Sequence, residues 1–130
     1  MAEKRRKELS EDQAHFIALR MHPEWRKQLE RDTLPEEIVG EDGELMNPHA
    51  HITVHAIVER QLAADEPKGV VAVARELERL GLSRHEVRHA IGMAVATQIW
   101  TISKELRPFD TESYMAELAE IVESYKRKTP

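Results

Sequence analysis

Helix-start and helix-stop signals divide the chain into segments whose apolar residues recur at helical intervals. Asn47 followed by Pro48 is typical of an N-cap and a first helical turn, and it predicts a helix to about residue 64. Ser83 and Glu86 have the spacing of a capping box, which predicts a second long helix to about residue 104. Apolar and polar residues alternate nowhere for long enough to predict a strand. The sequence is therefore expected to fold from helices alone.

Similar signals place the remaining helices. They are expected to begin near Ser10, with a kink or a restart at Pro23, after Pro67, and at Asp110 or Thr111. Residues 32–46 contain turn-forming and acidic residues and predict a connecting loop. The predicted fold class is all-α, a compact irregular bundle of four to five helices. The chain is expected to form a single helical domain over residues 1–130, in which residues 1–9 are mobile.

Charge and composition narrow the classes of partner. Twenty-four acidic residues against nineteen Lys and Arg give a formal charge of -5, which argues against general affinity for nucleic acid or for an anionic membrane. Apolar runs fall short of the ~20 residues that cross a bilayer, and a cytoplasmic location is expected. The absence of cysteine excludes disulfides and thiolate zinc sites. A homo-oligomer remains compatible with these features.

Two pairs of histidines four residues apart are the features most suggestive of chemistry. His51 and His55 lie about 40° apart around the first long helix, and His85 with His89 repeats this spacing in the second. Short connections predict antiparallel successive helices, which would make the two histidine-bearing helices parallel, with both pairs at a similar height. Gly92 and other small residues beside the second pair would allow a close approach of the first helix. Four imidazoles are then expected to converge.

Four buried imidazoles need partners for their ring nitrogens, and a divalent metal would supply one. The predicted ligands are His51, His55, His85 and His89, with Glu59 as a fifth ligand or as an acceptor behind them. Imidazole and carboxylate donors suit Zn, Fe, Ni or Mn. If the ion has an open position, metal-activated water attacking an ester, amide or phosphate is the expected chemistry. The alternative is a metal-free interaction or dimerisation module in which a histidine cluster fixes helix packing.

Two shorter motifs bear on the same site. His85 to His89 reads HEVRH and fits the H-E-x-x-H motif of zinc peptidases. Glu86 is explained by its capping-box position, and the predicted absence of strands disfavours that class. The break at Pro23 could bring His22 or Glu24 to the site, although a helix corner with Trp25 in the core also explains it.

The stretches "HPEW", "NPHAHITVHAIVERQLAADEPKGV" and "RHEVRHAIG" together resemble an uncharacterised bacterial family, domain of unknown function 1841. The resemblance extends from about residue 15 to about residue 118. The matching residues are His22 to Glu24; Asn47, Pro48, His51, His55, Glu59 and Gln61; Asp65 and Pro67; and His85 and His89. Family members often lack a glutamate after the first histidine of the second pair, which lowers the weight of Glu86 as a base. The resemblance implies the histidine constellation and no particular reaction.

Overall fold

A computed structural model of the protein describes residues 9–20, 22–31, 38–39 and 45–128. Within these residues it contains six α-helices and one antiparallel pair of two-residue strands. The helices are α1 (Glu11–Arg20), α2 (Pro23–Glu30), α3 (Pro48–Ala64), α4 (Val70–Arg79), α5 (Arg84–Glu105) and α6 (Thr111–Lys128). The strands are β1 (Ile38–Val39) and β2 (Leu45–Met46), and Ile38 pairs with Met46. The predicted all-α fold class is confirmed.

The helix count exceeds the predicted four to five because Pro23 starts a separate helix. α1 ends at Arg20, and α2 begins at Pro23, whose ring disfavours helical geometry in the residue before it. Residues 32–46 were predicted to form a loop, and within them the structure describes only the two short strands. Each strand has two residues, which is too few for an alternation of apolar and polar residues to be visible in the sequence. The predicted mobile terminus lies outside the described residues except for Leu9, which packs against the α1 core.

Helix α3 lies between two apolar clusters and packs against both. On one side Ile52 and Ala56 join residues of α1. On the other side Val58 and Leu62 join the larger cluster formed with α4, α5 and α6. In that larger cluster Tyr114 of α6 is fully buried, and its hydroxyl lies 2.5 Å from Oε1 of Gln61. The side chains of α3 are therefore held from both sides.

Local capping fixes where the two histidine-bearing helices begin. The side chain of Asn47 accepts hydrogen bonds from the backbone N–H groups of His49 and Ala50 at 2.9 and 3.1 Å. Ser83 and Glu86 form a reciprocal capping box at the start of α5. These bonds satisfy amides that have no partner inside a helix. Both predicted N-termini are confirmed.

Helices α3 and α5 pack closely, but their contacts do not follow the predicted parallel arrangement. A Cβ atom at Gly92 would lie 3.0 Å from Cγ1 of Val54, so the absence of a side chain there permits the approach. Arg88, which precedes Gly92 in α5, contacts Glu59, which follows Val54 in α3. In a parallel pair of helices, residues later in one helix would contact residues later in the other. Later residues of α3 therefore contact earlier residues of α5, and the histidines of the two helices meet beside these contacts.

None of the helices in the described part of the chain is both long enough and apolar enough to cross a lipid bilayer.

Candidate metal centre

Five imidazole rings gather where α2, α3 and α5 meet. His22 immediately precedes α2, His51 and His55 lie on α3, and the other two lie on α5. The ring centroid of His89 lies 5.0 Å from that of His51 and 4.9 Å from that of His55. The ring centroid of His22 lies 5.0 and 5.4 Å from the same two rings. The predicted convergence of the two histidine pairs is confirmed, with His22 added to them.

Four of these residues place ring nitrogens close enough together to be potential ligands of one metal ion. His22, His51, His55 and His89 each offer a ring nitrogen, and these atoms all lie within 4.8 Å of one another. Nε2 of His55 lies 3.0 Å from Nε2 of His51. With metal–nitrogen bonds of about 2.1 Å, adjacent ligand atoms lie about 3.0 Å apart at a right angle, and opposite ones about 4.2 Å apart. The cluster is thus close to the size of a single coordination sphere.

Two buried ring nitrogens in this cluster have no hydrogen-bond partner among the described residues. They are Nε2 of His22 and Nδ1 of His55. A buried polar atom without a partner costs free energy, and such atoms in native proteins call for an explanation. A metal ion would accept a lone pair from one nitrogen of each imidazole ring. It would also hold together imidazole rings that otherwise only face one another. The donor set therefore fits a transition metal.

The site is buried on one side and reachable from solvent on the other. His55 is only 2% exposed, and Val58 and Ile52 on the same helix are buried beside it. His22 and His51 are partly buried, while His85 and His89 of α5 are exposed. A ligand from solvent would therefore reach an ion at this site from the α5 side.

Trp25 holds the ring of His22 in place. The two rings are stacked, with centroids 4.2 Å apart and planes inclined by 20°. The indole also meets the ring of His51 edge-on at 5.4 Å. The structure brings His22 into the ligand group, a role that the sequence left open. The Pro23 break was the available signal, while the side chain of Glu24 lies outside the described part of the chain.

Glu59 lies on α3, one turn after His55, and forms an ion pair with Arg88. Its Oε1 accepts a hydrogen bond from Nε of Arg88 at 2.6 Å, and the two residues are only 5% and 9% exposed. The negative charge of Glu59 and the positive charge of Arg88 compensate each other. A charged side chain that is buried away from solvent needs such a partner. Glu59 is absent from the four-residue group of potential ligands. Its role as a fifth ligand stays a prediction, and its observed contact is with Arg88.

Glu86 is occupied by helix capping. Its Oε1 accepts a hydrogen bond from the backbone N–H of Ser83 at 3.0 Å, and this bond is the main reason that the pKa of Glu86 is lowered. The side chain is exposed at the start of α5. Helix capping therefore accounts for the glutamate of the HEVRH motif without a catalytic role.

Burial keeps three of the imidazoles neutral. Desolvation, with smaller contributions from neighbouring histidines that include His51, lowers the pKa of His55 from 6.5 to about 3. The same causes lower the pKa of His22 and of His51 to about 4. Neutral imidazole is the form that binds metals. These rings are therefore ready to act as ligands at neutral pH.

These shifts predict how the stability of the metal-free protein depends on pH. In the unfolded chain the three histidines take up protons near pH 6.5, whereas in the folded chain they do so only near pH 4 or below. Between these values the unfolded state binds more protons, so the free energy of unfolding should fall as the pH is lowered from 6.5 to about 4. Urea unfolding with a chelator present measures this. The slope should be shallower for His55→Ala, and equal slopes would contradict the shifts.

The similarity of the chain to a known family covers all the residues of the cluster. A family model described as "Domain of unknown function (DUF1841)" matches residues 2–120. No curated protein and no solved structure shows significant similarity to the chain. The match spans most of the chain and includes every histidine of the cluster. The chain therefore belongs to the family described as domain of unknown function 1841.

Proposed function

We propose that this protein binds one divalent transition-metal ion through His22, His51, His55 and His89. The observation that carries the proposal is the group of four ring nitrogens within 4.8 Å of one another. A buried ring nitrogen without a hydrogen-bond partner among the described residues, Nε2 of His22, supports it. The site draws its ligands from α3, α5 and the residue before α2, so an ion would also tie these three segments together.

The donor set bears on which metal binds. The four-residue group contains imidazoles and no carboxylate. Nitrogen donors favour zinc, nickel, copper or iron, and manganese prefers sites with more oxygen ligands. Of the ions expected from the sequence, Zn, Ni and Fe are thus better supported than Mn. Binding should weaken at low pH, because each histidine must lose its proton to bind.

A catalytic role is the further alternative. The exposed face at His85 and His89 would let a water molecule and a substrate reach the ion. Metal-activated water attacking an ester, amide or phosphate stays a proposal that depends on an open coordination position. Glu86, the base suggested by the HEVRH motif, has its side chain on the backbone of Ser83 instead.

Chelation tests the proposal. Protein purified without a histidine tag should lose at least about 5 °C of melting temperature when a strong chelator is added, because an ion bound only to the folded state stabilises it by mass action. Calorimetry or circular dichroism measures the change. His55→Ala should melt at the same temperature with and without the chelator. His49→Ala removes an exposed histidine from the first turn of α3 and should respond like the wild type.

An unchanged melting temperature, with no metal in the protein, would leave the metal-free interaction module standing. Apolar residues exposed on a helix would support that module. Among the described residues they lie on α1, on α5 and in the segment after α5, at Phe16, Met93, Ile99, Trp100, Leu106 and Phe109. On α6, by contrast, Tyr114, Leu118 and Val122 are buried. Sedimentation analysis would show whether the chain then forms a homo-oligomer.

A further inference from the structure

We infer that the metal ion carries an anionic oxygen ligand from solvent, of the carboxylate or phosphate class, on its α5 side, and that His85 donates a hydrogen bond to it. The inference rests on the proposed metal site and adds the chemical class of its ligand. It follows from the charge around the site, from the direction of three helices and from the position of His85.

The described residues around the cluster leave the charge of a divalent ion uncompensated. The four candidate ligands are imidazoles, which bind metals in their neutral form. The nearby carboxylate of Glu59 is balanced by Arg88, at 2.6 Å. The carboxylate of Glu86 is exposed and bonded to the N-terminus of its own helix. A dipositive ion held by neutral donors in a partly buried site favours an anion as its remaining ligand.

Three helix N-termini add to this positive potential. α2 begins directly after His22, α3 begins three residues before His51, and His85 is the second residue of α5. Each helix N-terminus carries a partial positive charge and favours nearby anions. These charges also oppose binding of a bare cation. An anion bound with the metal would therefore offset both the charge of the ion and that of the helices.

The position of His85 indicates where the anion would lie. Its ring centroid is 4.3 Å from that of His89, 5.7 Å from that of His55 and 5.9 Å from that of His22. It is outside the group of four potential ligands and, like His89, is exposed. His85 thus borders the cluster on its solvent side, where an imidazole N–H could donate to an oxygen on the ion. The role expected from the sequence for His85 was that of a metal ligand, and the same experiment tests both roles.

Cobalt(II) provides the probe, because its visible absorption reports both binding and changes in its ligands. The wild type should take up one equivalent of Co²⁺ and show d–d bands, and acetate and phosphate, titrated separately, should each change these bands until saturation. His85→Ala should keep the Co²⁺ stoichiometry and bind the anions about tenfold or more weakly, as expected for loss of a hydrogen bond to a charged group. His49→Ala should match the wild type in both titrations.

The outcomes separate the inference from the proposed function. Cobalt bands that neither acetate nor phosphate alters would overturn the anion inference and leave the metal site intact. Loss of Co²⁺ binding in His85→Ala would make His85 a metal ligand and overturn its assignment to the anion. Anion affinities unchanged in His85→Ala would also overturn that assignment. Absence of cobalt bands in the wild type would refute the metal site itself.

Discussion

Replacing both His55 and His89 with alanine is expected to weaken metal binding by at least about a thousandfold. The binding free energy of structural zinc sites, about 10–16 kcal/mol over four ligands, corresponds to about 3 kcal/mol, or about a hundredfold, for each ligand. His55 lies on α3 and His89 on α5, so the double replacement would also remove the proposed metal bridge between these helices. Competition with a chromophoric chelator measures the affinity.

The fold of this variant should survive, which makes the comparison interpretable. His55 has a buried nitrogen without a partner, and alanine is the strongest helix former. The helical circular dichroism of the metal-free variant should therefore equal that of the metal-free wild type. His15→Ala/His49→Ala removes two histidines outside the cluster and should retain full affinity. Equal affinities in the two double variants would contradict the assignment of these ligands.

Replacing Arg88 with methionine is expected to destabilise the metal-free protein by about 3–5 kcal/mol. The change removes the partner of Glu59, whose carboxylate is 5% exposed and would be left without its countercharge. A loss of that size is a large part of the total stability of a domain, about 5–15 kcal/mol. Urea unfolding with a chelator present measures it without a contribution from bound metal.

A second replacement in the same protein provides the control. Glu59→Leu/Arg88→Met replaces both buried charges with apolar groups of similar size, and it should recover most of the lost stability. The double-mutant cycle thereby isolates the interaction between the two side chains. Additive effects of the two single replacements would show that the 2.6 Å contact contributes little.

The helices were predictable because their start signals act locally. Asn47 bonds to amides two and three residues along the chain, and Ser83 bonds to Glu86 within one turn. These interactions depend on the sequence near each helix end and hardly on the rest of the fold. Histidines four residues apart share a helix face for the same reason. The helix boundaries and the direction of each histidine pair could therefore be predicted.

The packing of the helices against one another was harder to predict from the sequence. The packing of α3 against α5 includes the close contact of Gly92 with Val54, which propensities and caps do not encode. The pairing of Glu59 with Arg88 spans 29 positions and belongs to the same packing. His22 enters the cluster at the Pro23 break between α1 and α2, which allows this placement without specifying it. The second histidine pair was predicted as two equal ligands, whereas only His89 of that pair is in the group of potential ligands.

Elemental analysis tests the central claim most directly. Wild-type protein, expressed and purified without a histidine tag or added metal, would be measured beside the His55→Ala/His89→Ala variant prepared in the same way. The metal-site proposal predicts close to one equivalent of a divalent transition metal in the wild type and almost none in the variant. Equal metal content in the two proteins, or none in either, would contradict it.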